Sequence, residues 1–124
     1  MSVYLFELAA QKAEWLSARQ TAIASNVANA NTPGYRAVDV APFAAVLDNA
    51  PMVMAATNPA HFDPSGLSPA AYREVESDGG EETLSGNNVS LEGQMVALGE
   101  VGRDFTMTAN IRRAFHQLLM SALK

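Results

Sequence analysis

Cysteine is absent from the 124 residues, which excludes a disulfide framework, a thiolate metal site and a cysteine nucleophile. Histidine is nearly absent. His61 and His116 cannot by themselves form a conventional zinc site, and they read as a surface-loop residue and a polar-face helix residue. Aromatics make up only 7%, while 22 positions are alanine, so the 48% of apolar residues include few side chains large enough to fill a self-sufficient core. No run of about 18 apolar residues occurs, and Glu7, Gln11, Lys12 and Glu14 interrupt the N-terminal segment. Neither a membrane span nor a cleaved secretory signal is expected. The P-loop, nucleophile elbow, paired zinc histidines and dinucleotide glycine fingerprint are also missing, so no catalytic, cofactor-binding or metal site is expected.

The formal charge of −5 is unevenly placed. Residues 1–47 balance, residues 48–92 set eight acids against Arg73 alone, and residues 93–124 carry two acids and four bases. No basic stripe exists to neutralise phosphates, so nucleic acid is not an expected partner, nor is a small-molecule substrate. Glu74, Glu76, Asp78, Glu81 and Glu82 lack the alternating spacing and terminal bidentate Glu of a calcium loop and read as a solvated acidic loop.

Between Ser2 and about Ala30 there is no glycine or proline, and the sequence is rich in good helix formers with Ser2 as N-cap. Leu8, Ala9, Ala13, Leu16, Ile23, Val27 and Ala30 form a near-heptad apolar stripe. A second helix is expected from Ser90, as N-cap, to about Leu123, with Glu92 in its positive first turn. Its stripe comprises Leu91, Met95, Leu98, Val101, Phe105, Thr108, Phe115, Leu119 and Ala122. Gly93, Gly99 and Gly102 each cost such a helix roughly 1 kcal/mol relative to alanine. Both helices are therefore expected to be weak in the monomer and completed by packing against neighbouring chains.

The intervening segment holds Pro42, Pro51, Pro59, Pro64, Pro69, Gly66, Gly79 and Gly80 and reads as largely irregular. A helical turn is expected at Pro42–Leu47, and an extended stretch at Arg73–Val75. The expected fold is thus mainly α: two long terminal helices, 1–31 and 90–124, pairing as an extended coiled-coil hairpin around an irregular Pro/Gly-rich middle, 32–89.

The most distinctive string is Ser25-Asn26-Val27-Ala28-Asn29-Ala30-Asn31-Thr32-Pro33-Gly34-Tyr35. It terminates a helix decisively, because Asn side chains compete for backbone groups, Thr-Pro forbids continuation and Gly34 permits positive φ. Asn26, Asn29, Thr32, Pro33, Gly34 and Tyr35 are expected to set the geometry of this turn, with the two asparagines bonded to backbone or a neighbouring chain.

That string closely resembles, nearly position for position and at the same distance from the N-terminus, the signature of the flagellar rod, hook and hook-associated axial proteins. Gly86, Asn87, Asn88, Val89, Ser90, Leu91 and Glu92, followed by Met95, resemble a second signature found in one proximal-rod member of that family. Gln94 stands where that pattern would place an acid.

The resemblance implies a structural subunit of the proximal rod of the bacterial flagellar basal body. It would be exported unfolded by the flagellar type III apparatus and polymerise in the periplasm with copies of itself and other rod and basal-body proteins. Leu16, Ile23, Val27, Leu98, Phe105, Phe115 and Leu119 are the expected assembly contacts. Phe43 and Leu47, spaced i and i+4, fit the short element that the export gate reads in early flagellar substrates. The alternatives are another secreted helical-filament subunit and a small enzyme or adaptor.

Overall fold

The computed structural model describes residues 2–48 and 72–124. The chain runs as α1 (Ser2–Ala28), β1 (Val38–Val40), α2 (Phe43–Asp48), β2 (Glu74–Glu76) and α3 (Leu91–Ala122). Two long helices of 27 and 32 residues dominate. Pro51, Pro59, Pro64, Pro69, Gly66 and His61 lie outside the described residues.

The helices pair antiparallel. Phe6 meets Phe115 edge-on with ring centroids 5.5 Å apart, and Lys12 approaches Asp104 at 3.9 Å. Further along, Arg19 reaches Glu100 at 3.5 Å, and the Asn26 amide donates to Gln94 Oε1 at 2.9 Å. The partners of α1 thus move steadily back along α3 from the end that carries both termini.

α3 begins as its sequence requires. Ser90 is extended at φ −96°, and its hydroxyl accepts from the Gly93 amide, with Glu92 in the first turn. β1 and β2 pair antiparallel with Val38 opposite Glu76, Asp39 opposite Val75 and Val40 opposite Glu74. The Ala41 amide donates to Arg73 O and the Ser77 amide to Ala37 O, extending the ladder by one residue at each end. The extended stretch therefore falls one residue later than the sequence suggests.

Trp15, Leu16, Ala22, Ile23, Val40 and Val101 form the buried core, with Val38, Phe43, Val46, Tyr72, Ala97 and Phe105 packed around it. The short ribbon and α2 are held against α1 by polar ties as well as burial. Trp15 Nε1 donates to Ala41 O at 2.8 Å, and Arg19 grips both carboxylate oxygens of Asp39 at 3.2 and 3.4 Å. Lys12 lies 4.3 Å from the Trp15 ring centre and 4.8 Å from that of Phe43. Tyr72 donates to Gln11 O and lies beside Glu14. Partial burial and the Glu14 carboxylate hold its phenol above the usual value of 10.0. The neutral phenol is thus favoured in the folded chain, so this tie stabilises the fold below pH 10 and is lost as pH rises through the elevated folded value.

The α3 stripe divides along its length. Leu91, Met95 and Leu98 are exposed, while Gln94 and Val101 are buried and Ala97 is half-buried. A 3.6-residue helix drifts against a near-heptad stripe, and α1 engages only the part of it from Val101 onward. Val27 is likewise exposed, and Asn26 takes the inward position in its place. Leu16, with 0% exposure, should behave differently from Leu98. Leu16→Ala should lower the unfolding free energy by about 2–4 kcal/mol and Leu98→Ala by less than about 0.5, as measured by urea denaturation of the two variants.

Candidate functional site

The two distinctive strings come together at one end of the helix pair. At the end of α1 the Asn29 amide nitrogen bonds back to Ser25 O and Asn26 O, and its side chain donates to Ser25 O at 2.8 Å. The Thr32 hydroxyl donates to Asn29 Oδ1 at 3.1 Å, and the Thr32 amide to Asn29 O. Pro33 and Gly34 then turn the chain, with Gly34 at φ +74°. The turn delivers Tyr35 back onto the helix, where its hydroxyl donates to Asn26 Oδ1 at 3.2 Å and lies 3.3 Å from the Ser25 hydroxyl.

Asn26 is 1% exposed, and its amide is fully used. Nδ2 donates to Val38 O at 2.7 Å and to Gln94 Oε1 at 2.9 Å. Oδ1 accepts from Val38 N at 3.0 Å and from the Tyr35 hydroxyl. Because it meets both the donor and the acceptor of Val38, the amide can sit only one way round. One buried side chain thereby joins α1, the turn, β1 and α3. Gln94 supplies the acceptor that an acid would supply at that position, without placing a buried charge.

Asn87 and Asn88 fasten the opposite strand of chain. Asn87 Nδ2 donates to Asn29 O at 2.9 Å and Thr32 O at 2.8 Å, giving each of these turn carbonyls a second donor beside the Thr32 and Tyr35 amides, and its Oδ1 accepts from the Val89 amide at 2.8 Å. Asn88 Oδ1 accepts from the buried Ala37 amide at 2.7 Å. Gly86 adopts φ +82° beside Gly34, and the Gly34 amide donates to Ser85 O at 2.8 Å, so two left-handed turns back onto each other. Gly79 runs so close to Asn88 that a Cβ would collide with its carbonyl oxygen. At the edge of this clasp, Glu76 and Glu82 bond to Arg36 at 3.0 and 2.9 Å and raise its pKa further above the ordinary arginine value.

The remaining candidates divide. Leu16 and Ile23 are buried within the chain, Phe105, Phe115 and Leu119 are half-buried, and Val27 and Leu98 face outward. In the second string Gly86 and Val89 are half-buried, whereas Leu91 and Met95 are exposed. Phe43 lies 5.9 Å from Trp15 between ring centres, while Leu47 is exposed. Among the described residues no group of acids or histidines is placed to hold a metal ion, and no helix is long and apolar enough to cross a membrane. The clasp exchanges hydrogen bonds within the chain and presents no aligned nucleophile and base.

Residues 10–36 match the family described as flagella basal body rod protein, and they cover α1 from Ala10 onward and the turn through which Asn26 acts. The chain is also 42% identical, over 127 residues covering 98% of its length and 94% of the relative's, to the flagellar basal body rod protein FlgB of Agrobacterium fabrum. The chain belongs to the flagellar basal-body rod proteins, which are structural and not enzymes.

The Arg19–Asp39 pair, the Trp15–Ala41 bond and the partners of Gln94 and Gly79 were not foreseen from sequence. Only the departure at Gln94 marked its position. Replacing Asn26 by Leu removes every partner of the Val38 peptide group at a buried position and should cost about 3 kcal/mol or more. Amide exchange should show the Val38 N–H losing its protection before the α1 amides do, and unchanged protection would contradict the assignment.

Proposed function

We propose that this chain is a structural subunit of the proximal rod of the flagellar basal body, assembling with copies of itself and with other rod and basal-body proteins. The observation that carries the reading beyond family membership is the surface of α3. Leu91, Met95, Leu98, Met107, Ile111 and Leu118 are all exposed, and no described element covers them. A helix presenting apolar side chains on several flanks is suited to burial among neighbours. Relatively few large residues are buried within the chain, which suits one that gains order on assembly. Terminal-helix pairing as a coiled coil, passage through the type III export apparatus and a periplasmic location without a cleaved signal belong to the same reading.

The exposed Val27 and Leu98 are in this reading contacts between subunits, and Phe105, Phe115 and Leu119 serve both the hairpin and its neighbours. Phe43 and Leu47 keep their proposed role at the export gate. The packing of Phe43 on Trp15 supports a second role in the folded chain.

Deleting the gene should abolish swimming and rods together, and re-expression should restore both; a motile deletion strain would overturn the reading. In a strain that exports but cannot assemble rods, Phe43→Ala should stop the protein leaving the cytoplasm if the gate reads this residue. Normal secretion with defective rods would leave Phe43 only its packing role.

A further inference from the structure

Two glycines in α3 have no use inside the chain. Gly99 and Gly102 are exposed, and a Cβ built on either meets nothing within 4 Å, so alanine would fit and would favour the helix. Gly102 shares one flank with Leu91, Met95 and Leu98, and at about 100° per residue the same flank continues through Arg113 and Met120. All six are exposed.

Charge is segregated along the same axis. Beyond Asp104, α3 holds no acid but carries Arg112 and Arg113, which are exposed and pair with no carboxylate among the described residues. Lys124 adds to this end, against Glu7 and Glu14, while Lys12 on α1 is matched by Asp104. At the clasp end Glu74, Glu76, Asp78, Glu81, Glu82 and Glu92 are exposed, opposed by Arg36 and Arg73. The acidic loop reaches the first turn of α3, since Gly80 packs against Ser90.

We infer that this flank of α3 is a head-to-tail contact between two copies of the chain. The basic C-terminal third of α3 in one copy lies along Leu91–Gly102 of the next, and Arg112 and Arg113 reach the acidic loop. Gly99 and Gly102 leave a notch that lets the incoming helix approach closely. A mutual antiparallel pairing would also oppose unlike charges, but it closes on itself as a dimer, whereas a contact between different surfaces leaves each copy free to take a further neighbour. The inference rests on the rod-subunit reading and specifies its geometry.

The test uses the purified full chain, which has no native cysteine. Leu98→Cys with Met120→Cys places two thiols roughly 33 Å apart along one helix, beyond a short bismaleimide within a single copy. A ladder of dimers, trimers and larger species is expected. Joint Arg112→Glu and Arg113→Glu substitution should raise the concentration needed for sedimentable assembly at least tenfold, and adding Asp78→Arg and Glu81→Arg should restore it. Gly99→Ala with Gly102→Ala should raise the melting temperature of the monomer yet weaken assembly, an outcome that misfolding cannot imitate. Crosslinking that stops at a dimer, or assembly indifferent to charge reversal and to alanine, would overturn the contact while leaving the rod reading standing. Failure of the native chain to assemble at any concentration would also overturn the contact, whereas the rod reading falls only with a motile deletion strain.

Discussion

The Asn26 amide is the constraint on which the arrangement depends. It lies in the seam between the helices, where an unsatisfied amide would be costly, and it is satisfied only if β1, the Tyr35 turn and Gln94 all occupy their places. Apolar residues tolerate sliding and rotation. An amide whose donor and acceptor must both meet the Val38 peptide does not, so it fixes the register of α1 against β1 and the face that α3 turns inward. Leu16, Ile23 and Val101 supply burial, and Asn26 decides which of several similar burials is adopted.

This division explains why the two distinctive strings, far apart in the chain, are polar and glycine-rich. Asn87 adds a second donor to two carbonyls of the turn after α1, Asn88 occupies the amide of Ala37, and Gly34 and Gly86 permit the two turns to touch. The clasp is built from backbone groups held by amide side chains, so its chemistry is spent on position. Its surroundings leave the outward side of α3 uncommitted, as a subunit whose remaining burial comes from other chains requires.

What could be read from sequence was whatever local chemistry determines. The Ser90 cap, the break at Thr32-Pro33-Gly34 and the turn beginning after Pro42 each depend on residues within one or two turns, and each stands within two residues of its expected place. The inward face of α3 was not legible, because Leu91, Met95 and Leu98 repeat as regularly as a core stripe, and only the distant Asn26 selects Gln94 instead. Val38–Val40 is too short for alternation to mark it, and its pairing with Glu74–Glu76, which the sequence places one residue early, joins segments more than thirty residues apart. The distinctive strings could be located, but the bonds between them could not, since nothing in Asn87 specifies that its partners are the carbonyls of Asn29 and Thr32.

The bond between Asn26 and Gln94 spans 68 residues, and the ties from Asn87 to the end of α1 span 55 and 58. Closing so large a loop is slow and entropically unfavourable until its far side is present. A chain delivered from its N-terminus, whether by a ribosome or through a narrow channel, therefore cannot fasten α1 to α3 until roughly three quarters of it has emerged. Up to that point α1 has only the Tyr35 turn, β1 and α2 to hold it, and its buried amide lacks Gln94. The placement of the clasp acts as a timer: whatever the route of delivery, the pairing of α1 with α3 comes late.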